Sequence, residues 1–114
     1  MDRFTAQGWD RDVLGSAQPL AVVFWAEWSV PSRMAVDTAQ ALAEERAGGP
    51  RLGLLDVDQS PQVAERYSIQ GLPTILVLKG GQVTERRVGL MSRPDLARLL
   101  DRHRSPSGKS WTGS

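Results

Sequence analysis

The chain has 114 residues, 40% hydrophobic and 24% charged, the size and balance of one globular domain. Its 14 basic and 13 acidic residues leave a net charge of +1, without the basic excess of a nucleic-acid-binding face. Cysteine is absent and histidine occurs once, as His103, which excludes disulfides, thiolate metal sites, thiol nucleophiles and His-cluster metal sites.

The opening "MDRFTAQGWDRD" carries no apolar signal region, so a cytoplasmic location is the default expectation. In "GWDRDVLG", Trp9, Val13 and Leu14 recur at helical spacing and Gly15 is a stop. "PLAVVFWA" is the longest apolar run. It is far shorter than the roughly 18 residues that span a bilayer, and it reads as a strand buried on both faces. "RMAVDTAQALAEERA" predicts a helix from Arg33 to about Ala47. Met34, Thr38 and Leu42, with Ala35, Ala39 and Ala43, form its expected inward stripe.

"RLGLLDVD" is a second buried strand. Ser60 is the expected N-cap of a short helix with Pro61 in its first position. "TILVL" and "QVTERRV" form a hairpin closed at Gly80-Gly81, where positive φ is expected. Ser92 caps a last helix that turns Leu96, Leu99 and Leu100 inward. A domain over residues 1–104 is followed by a Ser/Gly-rich tail, 105–114. Within that tail "SGKS" lacks the first glycine and the preceding strand of a phosphate-binding loop, and Trp111 has no assigned role. Alternating strands and helices followed by a hairpin imply an α/β fold, a mixed sheet with helices on both faces.

In this order of elements, "FWAEWSVPSRM" stands at a strand-to-helix corner. Together with "DVDQSPQVAERYSIQGLPT" and "LKGGQVTERRVGLMS", it resembles the thioredoxin family from about Phe4 to His103. The resemblance implies sheet order 1-3-2-4-5 with a short first strand in "MDRFT". It places Ser29 and Ser32 where the family has its redox cysteines, Val30 in place of the glycine between them, and Pro31 on the proline. It implies a cis bond before Pro73. It also implies an apolar peptide-binding groove of Trp28, Val30, Pro31, Leu72, Pro73, Thr74, Gly89 and Leu90, in which the Leu72 backbone pairs with a substrate strand.

Family chemistry is thiol–disulfide exchange, which needs a thiolate activated at a helix N-terminus. Serine has no sulfur to exchange, so the chain as written is expected to be redox-inactive and to need no cofactor. Hydrolase use of Ser29 would need an adjacent base, and His103 is expected far from it. The family's buried aspartate and its lysine partner align with Val23 and Leu54, and a helix proline aligns with Asp37. Losing one buried charge favours losing the other. Two readings lead: a Cys-to-Ser form of a redox protein, for which thioredoxin reductase is the implied partner, or a cysteine-free binding or chaperone-like module; between them stands a parent with one cysteine, at position 29, which would form mixed disulfides without resolving them. Both imply protein or peptide partners, and neither nucleic acid nor membrane.

Overall fold

The computed structural model describes residues 1–46 and 48–104. The expected helix end at Ala47 and the 105–114 tail, with "SGKS" and Trp111, lie outside the described residues. Five strands form one mixed sheet: β1 (Asp2–Phe4), β2 (Leu20–Trp25), β3 (Arg51–Asp56), β4 (Thr74–Lys79) and β5 (Gln82–Val88). Their order is β1-β3-β2-β4-β5, as the family resemblance implies. β1, β3 and β2 run parallel, and β4 and β5 are antiparallel additions. With three residues, β1 is short.

Helices cover both faces, which is why β2, β3 and β4 are almost continuously apolar. On one face α1 (Val30–Glu45) and α3 (Arg93–Arg102) pack Ala39, Leu42, Leu96 and Leu99 onto Ala21, Val23, Leu54 and Ile75. On the other, α2 (Pro61–Arg66) and a π-helical turn (Asp10–Leu14) bring Val63, Trp9 and Val13 onto Val22, Phe24 and Leu76. Trp9 contacts the rings of Phe4, Phe24 and Tyr67, and its Nε1 donates to the Tyr67 hydroxyl at 3.1 Å. The turn is π rather than α because the Gly15 N–H reaches back to the Asp10 carbonyl, 2.9 Å away.

Three local expectations need correction. α1 starts at Val30, three residues before the predicted start, because Ser29 caps it and Pro31 suits the first turn. Its inward residues are Ser32, Ala35, Ala39 and Leu42; Met34 is 51% exposed and Thr38 only half-buried. Small residues at 32, 35 and 39 set the helix close to the sheet, and that rotation turns Met34 outward. Ser60 occupies the N-cap position of α2 but does not cap it; its Oγ accepts the Ala6 N–H at 3.0 Å, tying β1's exit to this turn. The hairpin follows expectation, with φ of 59° at Gly80 and 82° at Gly81. No helix among the described residues is long and apolar enough to cross a membrane.

Candidate functional site

β2 ends at Trp25, and the chain turns through Ala26–Trp28 into α1, at the carboxyl end of the parallel strands, where open α/β sheets place their sites. Ser29 is the N-cap, with extended backbone at φ −99° and ψ 112°. Its Oγ accepts the Ser32 N–H at 3.2 Å and its carbonyl accepts the Arg33 N–H at 3.0 Å. Both serines are buried, Ser29 at 8% exposure and Ser32 at 0%. They differ in use: the Ser29 hydroxyl satisfies a helix-end donor, whereas Ser32 Oγ is buried without a hydrogen-bond partner among the described residues.

Opposite this turn, the Leu72–Pro73 bond is cis. The Thr74 hydroxyl donates to the Gly71 carbonyl at 2.6 Å, and the Gly89 N–H donates to the Pro73 carbonyl at 2.8 Å. The second bond brings Gly89 and Leu90 beside the proline. The predicted groove residues divide accordingly. Trp28 (70% exposed), Val30 (55%) and Leu90 (45%) present apolar surface, with Pro31 exposed and Leu72 half-buried. Pro73 and Thr74 are buried, so they hold the loop's shape instead of offering side chains. Gly89 has φ 101°, and a Cβ there would meet nothing within 4 Å; its backbone conformation, not crowding, calls for glycine.

A cavity of about 350 Å³ lies between Trp28, Ser29, Val57, Ala64, Ile69 and Leu72. Val57, Ala64 and Ile69 were not among the predicted site residues. Their signal is faint: Val57 and Ile69 are apolar residues in loops, where a polar residue is the usual choice. Behind the turn, Val23 and Leu54 are register partners on β2 and β3, 0% and 2% exposed. The two positions aligned with a buried charge pair are therefore direct neighbours filled by hydrocarbon. His103, at the end of α3, is engaged elsewhere: its Nε2 lies 2.7 Å from Glu85 Oε1 on β5.

Residues 1–102 match the family model for thioredoxin. The chain belongs to the thioredoxin family. It is 36% identical over 92 residues to a thioredoxin of Acidithiobacillus ferridurans, covering 81% of this chain and 85% of that one. It is 34% identical over 93 residues to thioredoxin 1 of a Nostoc species, covering 82% and 87%. Chloroplastic thioredoxin M5 of Oryza sativa is 36% identical over 97 residues, 85% of this chain, which spans only 56% of that relative's length. Thioredoxin-family membership supports a thiol–disulfide oxidoreductase role and interaction with protein partners. This thioredoxin-family chain carries no cysteine, and serines stand at positions 29 and 32.

Proposed function

We propose that this chain binds extended polypeptide segments at the Ser29–Ser32 turn and the Leu72–Pro73 loop without exchanging electrons. The observation that carries the reading is the apolar rim of Trp28, Val30 and Leu90, exposed around two buried hydroxyls that stand in the cysteine positions. Thiol–disulfide exchange needs a sulfur nucleophile, and an alcohol at the same helix entry stays protonated and forms no disulfide. Leu72 makes no backbone–backbone hydrogen bond with the described residues, so its N–H and C=O are available to a substrate strand. Val23 opposite Leu54 also favours a binding module: a protein altered only at its two cysteines would keep the charged pair behind them.

The test is binding of a reduced and alkylated unfolded protein to the full chain and to Trp28→Ala. We expect binding at least about tenfold weaker in the variant, with an unchanged far-UV spectrum, since Trp28 is mostly exposed. Equal binding by the two proteins would count decisively against the groove.

A second reading, a Cys-to-Ser form of a disulfide reductase, is favoured by one observation. The orphaned Ser32 hydroxyl sits where a thiol, a weaker hydrogen-bonding group, would be at ease. Restoring cysteine at 29 and 32 and measuring protein disulfide reduction with a dithiol donor decides it. Robust turnover supports a redox parent, for which thioredoxin reductase is the implied electron donor; no turnover in a folded variant leaves the binding module.

A further inference from the structure

A second cavity, separate from the groove, is about twice the volume of the one beside Trp28. It has a volume of about 750 Å³ and lies at the carboxyl ends of β1, β3 and β2, walled by the first half of α1. It touches the groove only through Val30. Its size is that of a small-molecule site, and its position is the crevice that open α/β sheets offer to ligands.

Leu54, Phe4 and Trp25 give it an apolar interior, and Met34, half-exposed, extends that surface toward solvent. The lining carries charge of both signs. Arg3 comes from β1 and Arg33 from α1; Glu27 and Asp37 also line it. Among the described residues none of these four makes an ion pair. Asp56 lines the cavity too, but its Oδ1 already accepts the N–H groups of Asp58 (2.9 Å) and Gln59 (3.3 Å). Trp25 adds an unmet donor: its Nε1 is buried and has no hydrogen-bond partner among the described residues. That N–H has almost no exposed surface, so it lies behind the cavity wall and serves as a reporter of what the cavity holds rather than as a contact.

We propose that this cavity binds a small zwitterion with an apolar side chain, of the class of free aromatic amino acids and their dipeptides. The hydrocarbon interior takes the side chain. The guanidinium groups face a carboxylate, and Glu27 and Asp37 face an ammonium group. A ligand with one charge alone would gain one set of partners and meet repulsion from the other.

The experiment follows the Trp25 indole N–H signal by NMR in the full chain, assigned through its backbone, during titration with L-phenylalanine, 3-phenylpropionate and 2-phenylethylamine. Phenylalanine is expected to give a saturable shift, with each singly charged analogue at least about tenfold weaker. Arg33→Gln and Asp37→Asn, both surface changes, should each weaken phenylalanine about tenfold without moving the melting temperature. No saturable shift with phenylalanine overturns the proposal. So do analogues that bind equally well, or variants with unaltered affinity. A shift confined to Trp28 would put the ligand in the peptide groove and overturn it equally.

Discussion

Ser29 and Ser32 are chemically identical and three residues apart, yet the fold treats them in opposite ways. Ser29 Oγ accepts the Ser32 N–H and so satisfies one of the amides that every helix start leaves open. Removing it in Ser29→Ala is expected to cost about 1 kcal/mol, the usual loss for an N-cap. Ser32 Oγ is buried with no partner among the described residues, so its desolvation is uncompensated. Ser32→Ala is expected to be neutral or to stabilise by up to about 1 kcal/mol. Urea unfolding of the two variants measures both. Equal losses would mean that Ser32 has a hydrogen bond in solution. The sequence shows two serines on a helix entry and can foresee the cap. It cannot foresee the orphan, because which hydroxyl lacks a partner depends on how closely α1 sits on the sheet.

At the scale of elements, β1 is held by a side chain as well as by its ladder. Phe4 ends the strand and lies against Gly53 of β3, where an added Cβ would come within 2.2 Å of the ring. The ring cannot swing aside freely, because it is 6% exposed and stands edge-on to Trp9 at 6.2 Å. Gly53→Ala is therefore expected to destabilise by about 1–3 kcal/mol through overpacking. In a Phe4→Leu background the same change should cost clearly less, which a double-mutant cycle by urea unfolding measures. An additive result would place the strain elsewhere. Elements of this kind show why the fold was largely legible in advance. Unbroken apolar runs such as "LAVVF" and the double glycine of the hairpin report local physics directly. The rotation of α1 was not legible: Met34 and Leu42 are both apolar, and only the close fit of Ser32, Ala35 and Ala39 against the sheet decides which points inward. Ser60 misled for the same reason. Its capping sequence is correct, but Ala6, 54 residues earlier, takes its hydroxyl. In the site, the turn and the loop were legible from motif order. Val57 and Ile69 were not, because their place beside Trp28 is set by long-range folding.

For the whole molecule, the exposed hairpin strand is tied to the last helix by one carboxylate. β5 buries no residue fully, yet Glu85 is only 19% exposed at its side chain and collects three partners. His103 Nε2 lies 2.7 Å from Oε1, while Arg102 and Arg87 donate to Oε2 at 2.7 and 2.6 Å. These contacts, the His103 hydrogen bond foremost and then those of Arg102 and Arg87, lower the Glu85 pKa to about 2 despite partial desolvation. The ordinary value for its carboxyl is 4.5. A carboxyl that ionises more easily in the folded chain binds fewer protons there than when unfolded. Its stabilisation is therefore complete above the ordinary value and is lost as pH falls from there toward about 2. Solvent and salt screen the cluster, so the contribution at neutral pH is expected to be on the order of 1 kcal/mol. Glu85→Gln should lower the melting temperature at pH 7 and leave it close to that of the unaltered chain at pH 2. The difference between the two proteins should also shrink in high salt. A gap that persists undiminished in acid would show that Glu85 acts through packing rather than charge. Because the Arg102 and His103 partners close α3, the same substitution should speed hydrogen exchange in its last turn before it affects Leu96 nearer the start, which connects the charge on the hairpin to the cover of the α1/α3 core.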